Sequence, residues 1–207
     1  IVYCATRKET EALAASLNSA VAELRAAGGA DVSDIGTIAV AYHGGMSADA
    51  REKAQRDFVT DRVPVVVATN AFGMGIDKSN VRFVIHHNMP ESIEAYYQEA
   101  GRAGRDGTKA ECLLLYTAGD VHTAEFLLSR TERTDLTPEQ LQAMHEADEQ
   151  RLRQMVFYAT TTDCLRSFIL RYFGEEAPAY CGNCGNCLAD YEEVDERTNA
   201  LKILSCV

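Results

Sequence analysis

Between Arg62 and Thr69 the chain reads Val-Pro-Val-Val-Val-Ala, a short apolar run with no polar face. A strand of that composition is buried on both sides, so it needs a sheet covered above and below. The flanking sequence supplies the rest. Across residues 1–118 short apolar runs alternate with helical patterns, the signature of βαβ units around a parallel sheet. Ile1–Cys4, Ile38–Tyr42, Val63–Ala68, Val81–His86 and Cys112–Tyr116 read as strands. Thr6 caps the first helix and Glu9 completes a capping box; Leu13, Leu17, Val21 and Leu24 mark its apolar side, and Gly28-Gly29 breaks it. Ser47 caps a charged helix ending near Phe58, and Ser92–Ala100 forms a third. The expected class is α/β, a parallel sheet flanked by helices.

From about residue 119 the pattern becomes helical only. Thr137-Pro138-Glu139-Gln140 combines a cap, a first-turn proline and a capping-box glutamine, and a long helix should follow to about Tyr158. Asp163 opens another helix, which reaches Phe173 and stops at Gly174. Asp195 or Thr198 begins a last one. Both ends of the chain lie inside apolar or amphipathic patterns, whereas natural termini are usually polar; we expect both to be cuts in a longer protein.

Four of the seven cysteines form a pattern. Cys181-Gly-Asn-Cys184-Gly-Asn-Cys187 spaces three thiols by three, with a glycine after each of the first two to let the backbone turn. A closed tetrahedral site needs a fourth ligand. Cys164, at the start of the preceding helix, is the candidate. Four thiolates with no open position imply a structural metal, and zinc is favoured over the alternative, an iron–sulfur cluster, because the fourth cysteine lies upstream. Cys4, Cys112 and Cys206 read as ordinary buried thiols.

Two further segments carry chemistry. Val65–Asp77 follows the valine strand, so Thr69 and Asn70 emerge at its carboxyl end, where open α/β sheets bind ligands. Gly73 and Gly75 permit close backbone approach, and Asp77 offers a carboxylate. In Tyr96–Gly107, Arg102 and Arg105 stand three apart among glycines, with Gln98 one turn earlier, and are expected to project the same way. Two guanidiniums so placed suggest a clamp on a polyanion such as nucleotide phosphates.

These segments together resemble the second motor lobe of superfamily 2 helicases, and most closely the RecQ family. Ile1–Arg7 is similar to that family's motif IV, Tyr42–Met46 to the stretch after it, Ala68–Asp77 to motif V and Gln98–Gly107 to motif VI. Tyr172-Phe-Gly-Glu175 followed by the cysteine run is similar to the RecQ zinc module. The resemblance implies a RecA-like lobe over 1–118, a helical zinc-binding module over 119–190 and the start of a winged-helix domain over 191–207. It implies an ATP-dependent 3′–5′ DNA helicase of recombination and repair. Arg105 becomes an arginine finger for the γ-phosphate, with Arg102 and Gln98 beside it, and Gly75 and Asp77 face the nucleotide. Arg7, His43 and Thr69 lie near the single-stranded DNA track. Structural zinc is held by Cys164, Cys181, Cys184 and Cys187. A single-stranded-DNA-binding protein is an admissible partner. The location is the cytoplasm, associated with the nucleoid, in a bacterium, or the nucleus in a eukaryote.

Three observations bound this reading. No Gly-x-x-x-x-Gly-Lys followed by Ser or Thr occurs, so the loop and the acidic strand end that hold ATP and Mg²⁺ must come from another lobe, and these residues alone should be inactive. The balance of 20 basic against 31 acidic residues, −11, means that phosphate binding must be local. No apolar stretch approaches the roughly 20 residues of a membrane span. Two other readings compete: a DNA or protein platform without turnover, which the intact Gln98, Arg102 and Arg105 oppose, and an RNA helicase, which the cysteine module opposes. Residues 127–144 carry no assigned role.

Overall fold

The computed structural model describes residues 1–27, 36–73, 76, 78–129, 136–190, 197 and 202. By contacts the chain forms two compact units, Ile1–Thr160 and Thr161–Val207, each described by itself.

The first unit is built on strands β1 (Val2–Tyr3), β2 (Ala39–Tyr42), β3 (Val65–Ala68), β4 (Phe83–His86) and β5 (Glu111–Leu114). All pair in parallel, in the order β2-β3-β1-β4-β5. The valine run sits next to the centre, and its alternation divides it between two cores. Val66 and Ala68 join Ile1, Tyr3, Phe58, Phe72 and Val84 on one face; Val67 joins Val2, Cys4, Ala14 and Ala39 on the other. Val66 and Val67 are fully buried, and each such side chain contributes about 1.5–3 kcal/mol of apolar transfer. The strand starts at Val65, later than expected. The amides of Arg62 and Val63 are both turned back onto the Asp57 carbonyl, and Val65 is the first to reach across, to Ile38 O.

Helix α1 (Arg7–Ala26) covers the second face, and α2 (Ala48–Val59) brings Phe58 to the first. The α1 cap is the expected box: the Glu9 amide donates to Thr6 Oγ1 at 3.2 Å, and the Thr6 amide donates to Glu9 Oε2 at 3.2 Å. Ser47 and Ser92 cap α2 and α3 (Ile93–Ala100) in the same manner. Next come α4 (Ala118–Ser129) and α5 (Pro138–Thr160), the latter opened by reciprocal Thr137 and Gln140 bonds. Both belong to the compact unit of the sheet, so the contact boundary falls after Thr160 although the sequence pattern changes near residue 119. Asn88 ties the ends together, accepting from the Ala5 amide and donating to Asp120 at the start of α4. Cys4 is buried, as expected, but Cys112 is exposed. It stands on β5, an edge strand with little over it. Gly28, Gly29 and Cys206 lie outside the described residues, as does most of 191–207.

The second unit contains α6 (Leu165–Tyr172) and the short α7 (Gly185–Leu188), which the sequence pattern does not announce. Helix α6 opens at Cys164 rather than Asp163 and stops as expected at Gly174, whose φ is +83°. The Gly174 and Glu175 amides close onto Arg171 O and Leu170 O, the paired closure of a left-handed helix stop. No helix among the described residues is long and apolar enough to cross a membrane. Replacing Thr6 with Ala should lower stability by about 1 kcal/mol through loss of the box, read as a shift in the urea unfolding midpoint of the 207-residue chain.

Candidate functional site

After α3 the chain does not continue as a helix. Residues 101–107 form successive turns, with Gly104 and Gly107 at φ of +61° and +78°. The Gly104 amide donates to Val81 O, and a Cβ on Gly104 would lie 2.8 Å from Thr108 O, so glycine is required there. The turns separate the two arginines. Arg102 points inward and is buried; Arg105 is exposed. The expectation of parallel projection therefore fails, because a spacing of three shares a face only in a continuous helix.

The arginines nevertheless meet one loop, that after β3. Arg102 Nη1 donates to Gly73 O at 2.6 Å. A Cβ on Gly73 would stand 2.2 Å from Arg102 Nη2, so the guanidinium fills the space that this glycine leaves. Arg105 donates from Nε to Gly101 O at 3.3 Å and from Nη1 to Ile76 O at 3.5 Å. The Tyr3 hydroxyl donates to Phe72 O at 3.1 Å. Burial pushes the Tyr3 phenol well up; the Arg102 charge pulls against that and the Glu99 charge adds to it. Three side chains thus grip the loop by the carbonyls of Phe72, Gly73 and Ile76.

In the second unit, the sulfurs of Cys164, Cys181, Cys184 and Cys187 all lie within 4.8 Å of one another. Cys181 to Cys187 and Cys164 to Cys184 are each 3.9 Å. Four sulfurs about 2.3 Å from a tetrahedral zinc ion stand roughly 3.8 Å apart, so the donor set and its spacing fit that ion. Gly182 turns at φ +65° as the sequence suggests, while Gly185 lies in α7. Asn186 locks the knuckle, donating to Thr161 O at 2.7 Å and Asp163 O at 2.8 Å on either side of the approach to Cys164. Burial would push the Cys164 thiol up, but hydrogen bonds from the Ser167 hydroxyl and amide bring it down to about 6.

Comparison with known proteins agrees with both halves. The helicase conserved C-terminal domain matches residues 1–107, and the RecQ zinc-binding family matches residues 118–188. The chain is 44% identical over its whole length to the ATP-dependent DNA helicase RecQ of Bacillus subtilis, covering 31% of that protein. It is 40% identical to the protein of the same name from Haemophilus influenzae, over 100% of this chain and 30% of that one. The chain belongs to the RecQ helicase family. It spans about three tenths of the length of those curated relatives.

Of the remaining RecQ-motif residues, Arg7, His43 and Thr69 follow the carboxyl ends of β1, β2 and β3. Arg7 is exposed at the first turn of α1, its guanidinium against Gly45, where a Cβ would lie 2.9 Å from Nη1. His43 is buried: Nδ1 accepts from the Gly45 amide at 3.2 Å, which leaves the proton on Nε2, 2.9 Å from Glu11 Oε1. Thr69 is buried, with its hydroxyl accepting from the Ala71 amide and its carbonyl from Phe72, so it shapes the turn. Gln98 is exposed on the last turn of α3. Gly75 and Asp77 lie outside the described residues.

Sequence reasoning missed Tyr3 and Asn186 as parts of these sites. Tyr3 sits inside an apolar run, where an aromatic ring reads as core, and Asn186 is hidden between two cysteines.

Replacing Gly73 with Ala should displace the Arg102 guanidinium and leave it without its carbonyl. The expected cost is about 1.5–3 kcal/mol, the range for a hydrogen bond to a charged group. Chemical denaturation of the chain measures it, and Gly45→Ala, whose Cβ would press closest on the flexible end of the exposed Arg7 and stand 3.3 Å from His43 Nδ1, should cost less.

Proposed function

We propose that this chain is the C-terminal motor lobe and zinc module of an ATP-dependent 3′–5′ DNA helicase that unwinds duplex DNA in recombination and repair. The observation that carries the reading is the division of labour between the two arginines. Arg102 is buried and holds the Gly73 carbonyl, while Arg105 is exposed and tethered only at its base and to Ile76 O. An anchored, solvent-facing guanidinium suits an arginine finger, which stabilises charge on the transferring phosphoryl oxygens. Arg102 and Gln98 link the finger to the loop after β3, and Gly75 and Asp77 face the nucleotide from it.

ATP and Mg²⁺ are held mainly by another lobe, since these 207 residues contain no phosphate-binding loop of the Gly-Lys type. Alone they do not hydrolyse ATP. Single-stranded DNA passes the carboxyl edge of the sheet. Arg7 is the exposed cation there; His43 and Thr69 act by shaping the loops beside it. Zinc on Cys164, Cys181, Cys184 and Cys187 braces the second unit and supplies no chemistry to the reaction. Residues 119–190 form the module, and 191–207 are the start of a winged-helix domain. A single-stranded-DNA-binding protein is a partner, and the site of action is wherever the chromosome lies, the nucleoid or the nucleus.

Arg105→Ala in the full-length protein should lower DNA-stimulated ATP hydrolysis by roughly 10³-fold or more, the worth of such a finger in related systems. An unchanged rate would discard the enzymatic role and leave a binding platform. Metal analysis of the 207-residue chain should give about one zinc, as a closed four-thiolate site requires, and Cys184→Ser should lose it and unfold the second unit. Recovery of about two to four irons with visible absorbance would replace zinc with a cluster.

A further inference from the structure

Behind Arg102 lies a set of buried polar side chains that this mechanism leaves unused. His86, at the carboxyl end of β4, is fully buried, and its Nε2 is 3.0 Å from Glu99 Oε2. Glu99 is buried on α3, three residues before Arg102. The His86 ring stacks on Tyr3 at 5.4 Å with planes 19° apart, and tilts against Tyr96 at 4.8 Å. Tyr3 passes the connection on, since its hydroxyl donates to the carbonyl of Phe72, the neighbour of the carbonyl that Arg102 holds.

We propose that His86 and Glu99 are positioning residues for Arg102 and, through Tyr3 and the Phe72 carbonyl, for the loop after β3 whose Ile76 carbonyl holds Arg105. The reason is charge. Arg102 is buried, donates to a neutral carbonyl, and its Nε has no partner among the described residues. A guanidinium away from water needs an anion near it. Glu99 is the buried carboxylate at the same helix end, and both charges bear on the Tyr3 hydroxyl. His86 keeps that carboxylate in place. Its Nδ1 is buried without a partner among the described residues, so a proton there would go unsatisfied; the proton belongs on Nε2, where it donates to Glu99. The order is therefore His86 to Glu99 to Arg102, whose backbone amide donates to the Glu99 carbonyl at 3.3 Å, with the stacked Tyr3 holding the Phe72 carbonyl beside them. Neither residue touches nucleotide; each acts on where the arginines stand.

This rests on the reading of Arg105 as a finger, so the assay carries Arg105→Ala alongside. In the full-length protein, kcat and KM for ATP are measured with single-stranded DNA present. Glu99→Gln keeps the shape and removes the charge. It should lower kcat by about 10–100-fold while KM for ATP stays within about twofold, because misplacing a transition-state contact by an ångström spares ground-state binding. His86→Leu, which removes the donor, should fall as far. His86→Gln, which restores a donor at the position of Nε2, should return to within about threefold of the parent kcat. Wild-type kcat in Glu99→Gln overturns the proposal. So does a loss matched by an equal loss of folded protein in circular dichroism, and so does a His86→Gln rate no better than that of His86→Leu. If Arg105→Ala retains full activity, the finger reading itself fails; if it is inactive while Glu99→Gln is normal, only the positioning role falls.

Discussion

The constraint on which the upper edge of the lobe depends is the burial of one positive charge. Arg102 is taken out of water at the end of α3, and its hydrogen bond goes to the backbone at Gly73, in the loop after β3. An ion so placed is tolerated only where the surrounding groups are fixed. The loop must present a carbonyl, Gly73 must lack a side chain, and α3 must end where Gly101–Gly107 begin to turn. Sequence features that look independent, a glycine in one segment and an arginine 29 residues later, are one interaction seen from both sides.

The sheet was legible because each strand announces itself by composition. The valine run is apolar on both faces because Val66 and Ala68 serve one core while Val67 serves the other. Thr6, Ser47, Ser92 and Thr137 mark helix starts by a local hydrogen bond, which needs no tertiary context. The site was legible only in its residue types. That Arg102 turns in and Arg105 stays out follows from positive φ at Gly104 and from a long-range bond to Val81, neither of which a spacing of three reveals. The same holds for Cys112. Its apolar neighbours suggest burial, but β5 pairs on one side only and leaves the thiol exposed.

In the cysteine unit the spacing was nearly sufficient. Three thiols three apart converge because Gly182 adopts φ +65°, and the fourth arrives from the start of α6. What spacing could not give is the closure. Asn186 donates to Thr161 and Asp163 carbonyls, stitching the knuckle to the segment that delivers Cys164. A unit with so little apolar interior draws its order from such bonds and from the ion its sulfurs fit.

The acidic balance of the chain then reads differently. A net charge of −11 argues against a broad basic face, and the described residues offer none at the carboxyl edge of the sheet. They offer cations at chosen points. Arg7 lies flat on Gly45 at the start of α1, and Arg105 is tethered by Gly101 and Ile76 carbonyls. Each has lost part of its freedom before any anion arrives, so less ordering remains to oppose binding. Several of the chain's anions are already engaged: Glu11 with His43, Glu99 with His86, Asp61 with Lys78, Asp106 with Arg82. On the proposed reading, a motor that releases its nucleotide and shifts along a strand at every cycle gains from a few placed charges of this kind, because a wide basic surface would hold the polyanion in every state alike.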